Sequence, residues 1–289
     1  MKDNNNLPTE WLFEITPKRS LFTLNFKEIW HYRDLLFLFV KRDVVTLYKQ
    51  TVLGPLWYLI QPLLTSVVMT IMFNKVAGIQ TGEIPPFLFN LAGITIWGYF
   101  TSCLNETSDT FKKNANIFGK VYFPRVIMPL SIVVSNLLKL GIQLLIFIAF
   151  FAYYWFKGAA ISWSWTLILF PLLVLVMGML GLGLGMLISS LVTKYRDFTF
   201  LVSFGVQLLM YISAVMYPLA LVVEKMPEYA WIVEYNPLAY CVETARFILL
   251  GTGSISMQGL IYTGVVSFFI LFFGLFAFNK TEKSFIDTV

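Results

Sequence analysis

Residues 41–73, KRDVVTLYKQTVLGPLWYLIQPLLTSVVMTIMF, decide the fold, because a charged, amphipathic approach turns there into an uninterrupted apolar run. No side chain between Lys49 and Lys75 is charged. At about 1.5 Å per residue such a run can cross a hydrocarbon core roughly 30 Å thick, which predicts a first transmembrane helix. Gly54, Pro55 and Pro62 would be costly in a soluble helix. A membrane helix tolerates them where neighbouring helices satisfy the freed backbone groups, so this span is expected to pack against protein.

Composition points the same way. The chain has 289 residues, of which 58% are hydrophobic and 13% charged, with a mean hydropathy of +0.74. That is too apolar for a soluble globular domain, and the class is an all-α polytopic membrane protein. The net charge of +5 is modest, and the basic residues cluster beside apolar runs, so they report orientation in a membrane and not nucleic-acid binding. Cys103, Cys241 and the single histidine, His31, are too few and too scattered for a zinc site. The N-terminal stretch has no basic segment followed by an apolar core and cleavage site, so it is expected to stay in the cytoplasm.

Residues 1–24 are polar and read as a cytoplasmic tether. Asn25 with Glu28 is a capping pair that would open an amphipathic helix within 25–50. Its apolar run, LLFLFV at 35–40, is too short to span, while Lys27, Arg33, Lys41 and Arg42 can reach the headgroups of membrane lipid. Further apolar runs follow at 84–105, 126–156, 158–193, 198–217 and about 257–278, giving six predicted transmembrane helices over 51–280 and a cytoplasmic tail at 281–289. Lys and Arg number eight before the first span, four between spans two and three, two between four and five and two after six. The opposite connections hold one, one and two. That bias places both termini in the cytoplasm. Residues 218–250 carry too many charges to cross lipid yet are too apolar for a free loop. Asn236-Pro237 is a helix start and Gly251 a stop, so two short helices are expected there, forming a re-entrant outer hairpin before the last helix.

Residues suited to catalysis are sparse. No histidine or carboxylate cluster lies within the spans, which argues against a membrane glycosyltransferase, acyltransferase or hydrolase. The nearest approach to a phosphate loop, around Gly119-Lys120, lacks the first glycine and the Ser or Thr, so ATP and magnesium would be bound by another chain. Gly178, Gly181, Gly183 and Gly185 read as small residues that let helices approach closely. Lys139 lies well inside the third span, on one face with Ser135 and Gln143, and should meet protein or water. Glu106 or Asp109 is its expected partner if the role is packing. Trp57, Tyr58, Trp97, Tyr99, Phe100, Tyr211 and Tyr217, with Lys139, are candidates to line a path for a sugar chain, since aromatic faces stack on sugars.

Several stretches together resemble the membrane subunit of ABC-2 type exporters for cell-surface polysaccharides. They are RDVVTLYKQTVLGPLWYLIQP at 43–62, NANIFGKVYFPRVIMPLS at 114–131, KYRD at 194–197, NPLAY, TARFILLG and the ending KTEKSFIDTV. The resemblance runs almost the whole length. It implies a homodimer of six-span subunits in the bacterial inner membrane, two copies of a cytoplasmic ABC ATPase, and a lipid-linked polysaccharide, O-antigen before teichoic acid or capsule, leaving the cytoplasm. It also implies an interfacial helix at 25–40, an ATPase contact at 112–125 around Asn114, Asn116, Phe118 and Lys120, and an outer gate at 218–250. Lys41, Arg42 and Lys49 lie at the depth where a lipid pyrophosphate would arrive, and charge-assisted bonds to phosphate suit them. A small amphiphile is the alternative cargo.

Overall fold

The computed structural model describes residues 26–49, 54–118, 120–121, 123–163, 165–195, 197–251 and 255–286. All regular structure among them is helical. The tether, and Asn25 of the expected capping pair, lie outside the described residues, as does the side chain of Glu28.

Among the described residues two helices precede the first span, α1 (Phe26–His31) and α2 (Arg33–Lys49). Helix α2 buries Phe39 and Val40 against the bundle and leaves Phe37 and Leu38 exposed beside Lys41, a bare apolar face edged by positive charge. The first span is α3 (Trp57–Met69), continued by a wider-wound π-helical segment, Thr70–Val76. Pro62 sits inside α3 and has no N–H for the Tyr58 carbonyl four residues back. Gln143, reaching over from the third span, donates Nε2 to that carbonyl at 3.4 Å. The proline is tolerated because a neighbouring helix answers the freed acceptor. Asn90 does similar work at the other end, donating to Thr70 Oγ1 at 3.1 Å and Asn74 Oδ1 at 2.9 Å in the π segment.

The second span, α4 (Pro86–Ser108), is the enclosed centre of the bundle, and α5 (Thr110–Phe118) turns off its end. The third and fourth are α6 (Ile127–Phe156) and α7 (Phe170–Lys194), the latter entered through a 3-10 turn at Trp165–Leu169. Helix α7 packs most extensively against α4 on one side and the last span, α12 (Met257–Ile286), on the other. The glycines of α7 make those approaches possible. A Cβ on Gly185 would stand 2.6 Å from Thr107 of α4, and one on Gly183 2.7 Å from the Leu271 backbone of α12. Gly274 of α12 lies against Gly183 in turn.

The expected fifth span is cut short. Helix α8 (Phe198–Ile212) has 15 residues, about 22 Å at 1.5 Å per residue, and residues 213–216 are buried without helical form. Among the described residues five helices are long and apolar enough to cross a membrane, and α8 is a shorter apolar helix. The hairpin region also differs from expectation, because it holds three short helices and not two: α9 (Leu219–Lys225), α10 (Ala230–Glu234) and α11 (Pro237–Leu250). Pro227 breaks the segment into α9 and α10 through a 3-10 turn. The boundaries of α11 are as predicted. The Asn236 side chain accepts from Leu238 N at 3.0 Å, and Gly251 ends the helix at φ 76°, a conformation that favours glycine.

Candidate functional site

At one end of the bundle, α5 lies beneath the spans with Thr110, Phe111, Asn114 and Phe118 buried. Lys112, Lys113 and Asn116 face outward, and Lys120 beyond the helix is also exposed. Apolar residues recurring along one face of a nine-residue helix explain its docking. An aromatic chain fixes it there. Phe39 of α2 meets Phe123 at 5.7 Å between ring centroids, Phe123 meets Phe118 at 5.9 Å, and Phe118 meets Phe111 at 5.9 Å. Phe111 stacks on Phe278 of α12 at 4.6 Å. The buried Arg125 guanidinium lies 4.9 Å from the Phe118 centroid and donates to the Glu282 carbonyl at 3.2 Å. Burial lowers the Arg125 pKa from its ordinary value, and the Glu282 carboxylate opposes that shift. Three separate parts of the chain therefore converge on α5.

Asn114, Asn116, Phe118 and Lys120 do not share one surface. Asn114 and Phe118 are buried against the bundle, and Asn116 and Lys120 are exposed. Sequence reading missed Phe39, Phe111, Phe123, Arg125 and Phe278 as parts of this cluster. Nothing in an apolar run distinguishes a phenylalanine that faces another helix from one that faces lipid.

Arg42 is largely engaged by the protein. It bonds Asp43 Oδ1 through Nη2 at 2.8 Å and Nε at 3.0 Å, and its Nη1 reaches Asn114 Oδ1 at 3.5 Å. Three of its five donors are taken, and Arg42 ties α2 to α5. Lys41 and Lys49 are exposed.

Inside the spans, Lys139 Nζ is 2.6 Å from Glu106 Oε1, and Asn136 Nδ2 donates to Glu106 Oε2 at 3.1 Å. Of the two expected carboxylates, Glu106 is the partner; Asp109 pairs with Lys113 at 3.1 Å. The ammonium also lies 5.3 Å from the Tyr58 ring centroid. The remaining aromatic candidates divide. Trp97, Tyr99 and Phe100 are closed into the interhelical core at 6%, 3% and 0% exposure and line no path in this arrangement. They sit on α4, whose central position turns nearly every side chain toward a neighbour. Trp57 and Tyr211 are exposed, and Tyr217 is half-buried with its hydroxyl donating to the Tyr211 carbonyl at 2.6 Å.

A third polar centre was not foreseen. Arg246 of α11 is enclosed and donates through Nη1 to the Ala214 and Tyr217 carbonyls at 2.9 and 3.2 Å, through Nη2 to the Val215 carbonyl, and toward Glu243 Oε2 at 3.4 Å. Its guanidinium covers the Phe89 ring at 3.8 Å. Among the described residues no group of His, Cys, Asp and Glu is placed to hold a metal ion.

The arrangement offers a short helix with an exposed polar face, a polar junction between helices and a clamped turn beside the hairpin. Comparison with known proteins gives these features a context. Residues 34–250 match the family described as ABC-2 type transporter. The O-antigen export system permease protein RfbA of Klebsiella pneumoniae is 29% identical over 255 residues, covering 88% of this chain and 94% of the relative. A protein of the same description from Myxococcus xanthus is 24% identical over 265 residues, covering 91% of this chain and 98% of its own length.

Proposed function

Because this chain belongs to the ABC-2 type transporter family, matched over residues 34–250, we propose that it is the permease through which an ATP-driven exporter carries O-antigen polysaccharide out of the cytoplasm. It is a multi-pass transport subunit and not an enzyme, and the family implies an ABC ATPase as its partner. The observation that carries the choice of cargo is similarity over 88% of the chain to a permease named for O-antigen export.

In this reading the protein is a homodimer in the bacterial inner membrane, with both termini in the cytoplasm, joined by two copies of the ATPase. The loop charge bias supports that orientation. The outward face of α5, with Asn116 and Lys120, is the surface on which the ATPase seats, since it is polar and exposed while the opposite face is anchored. The cargo arrives as a lipid-linked polymer. Its pyrophosphate meets Lys41 and Lys49, both exposed on α2, with Lys41 beside the bare Phe37 and Leu38.

Deleting the gene in its host tests the reading. Surface O-polysaccharide should disappear while lipid-linked polymer accumulates inside, and the restored gene should reverse both. Normal surface polymer in the deletion strain, or loss of teichoic acid or capsule in its place, would overturn the assignment of cargo.

A further inference from the structure

The junction of α3, α4 and α6 brings a carboxylate, an ammonium and a phenol ring together. Lys139 stands twelve residues beyond Ile127, about 18 Å along α6. Its partner Glu106 lies two residues before α4 ends at Ser108, and a charge of either sign is costly against hydrocarbon. The 2.6 Å contact with Glu106 and the 3.1 Å bond from Asn136 to the same carboxylate reduce that cost. Yet the site is open. The Glu106 side chain keeps 37% of its surface and Lys139 14%. Asn105 beside Glu106 is exposed, and Ser102, one turn earlier, is half-buried. A pair kept only for packing would be sealed, and an open carboxylate against acyl chains is the least favourable arrangement. Its open side therefore meets polar groups.

Charge decides which polar groups. Glu106 neutralises Lys139, so the junction has no surplus positive charge with which to hold a phosphate. It does have unused hydrogen-bonding capacity. An ammonium has three donors and a carboxylate about four acceptor sites, and only some of these are occupied by Glu106, Lys139 and Asn136. Beside them lies the Tyr58 ring, 5.3 Å from the ammonium. Spare donors and acceptors next to an aromatic face match a neutral polyhydroxylated chain, whose hydroxyls both give and accept and whose C–H faces rest on rings. Resting on the export reading above, we propose that Glu106, Lys139 and Tyr58 form an intramembrane contact site for the neutral sugar residues of the glycan in transit. Each sugar exchanges a bond to water for a bond of similar strength to protein, so successive residues pass without being trapped.

The test uses the complete exporter in cells that make the polymer and in cells whose polymer synthesis is blocked. Asn105→Cys supplies a thiol beside the site, and the native Cys103 and Cys241 are buried. A small charged thiol reagent should label Asn105→Cys readily in the blocked cells and several-fold more slowly while polymer is passing. Equal labelling in both, or none in either because lipid or a second copy covers the site, overturns the proposal. Glu106→Gln and Lys139→Met should each lower export about tenfold, the effect of losing a hydrogen bond to a charged group, with the ATPase still copurifying. The reciprocal exchange Glu106→Lys with Lys139→Glu restores both a donor and an acceptor and should recover most export. Full export by the double variant Glu106→Leu with Lys139→Leu would reduce the pair to packing and overturn the proposal. Failure of the wild-type gene to restore surface polymer faults the export reading, whereas the labelling comparison faults only this site.

Discussion

Arg246 is the largest side chain that the fold encloses completely. A guanidinium there has to be matched by acceptors, and the acceptors are carbonyls of the non-helical turn that follows the end of α8 at Ile212, those of Ala214, Val215 and Tyr217. The turn it clamps includes Ala214 at φ 51°, a left-handed conformation that a non-glycine residue keeps only when its surroundings impose it. Gly93 of α4 supplies the room, since a Cβ there would stand 2.7 Å from Arg246 Nη2 and 2.8 Å from the Val215 carbonyl. Asn236 adds a second tie, donating to Ser213 Oγ at 3.0 Å. Arg246→Met should therefore lower stability by about 3 kcal/mol or more, because several buried carbonyls lose their donor together. Arg246→Lys keeps the charge but not the planar fork, so thermal unfolding of the purified protein in detergent should rank wild type above Lys above Met. Equal melting of the Lys variant and wild type would show that charge alone suffices.

Among the elements, α5 shows how far a sequence can be read. Its position between the second and third spans, its polar character and the positive charge around it were all legible, because charge interrupting apolar runs marks the chain's exit from a membrane. Which of its residues point inward was not, since the aromatic cluster that holds α5 draws Phe39 from α2, through Phe123, and Phe278 from α12, both remote in sequence. The same limit applies to α8. The run 198–217 is uncharged to its end, and the side chains that hold the turn where the helix stops, Arg246 and Asn236, are remote in sequence. Local signals did fix α11, where Asn236, Pro237 and Gly251 act on their own backbone. From the two faces of α5 a division of effects follows. Lys120→Glu or Asn116→Asp should leave the permease folded and inserted but reduce the copurifying ATPase severalfold, by placing negative charge on the docking face. Phe118→Ala should lower thermal stability by about 3 kcal/mol or more, as aromatic truncation in a packed cluster does. Loss of ATPase by Phe118→Ala at unchanged melting temperature would mean that Phe118 faces the partner and not the bundle.

For the molecule as a whole, the distribution of exposed polar groups separates a lipid-facing side from one that faces something else. Helices α4, α7 and α12 form the centre, while α3 and α8 are attached at its edge with few buried residues. The outward side of α12 between residues 261 and 273 is wholly suited to acyl chains, with Ile261, Val265, Phe268, Phe269, Phe272 and Phe273 exposed. Helices α3 and α8 differ, because exposed amides and a hydroxyl interrupt their apolar faces at Gln61, Gln207 and Ser203. An amide toward hydrocarbon is unsatisfied and costly, whereas one toward a second subunit or a polar path is not. The proposed homodimer should therefore meet through the α3 and α8 side, with the phenylalanines of α12 turned to lipid. Single cysteines test this directly in native membranes, since Cys103 and Cys241 are buried. Gln61→Cys or Gln207→Cys should give a disulfide-linked dimer on mild oxidation, and Phe269→Cys, on the opposite character of surface, should remain monomeric. Cross-linking at Phe269→Cys, with none at either amide position, would place the partner against α12 and leave the exposed amides to be explained by another occupant.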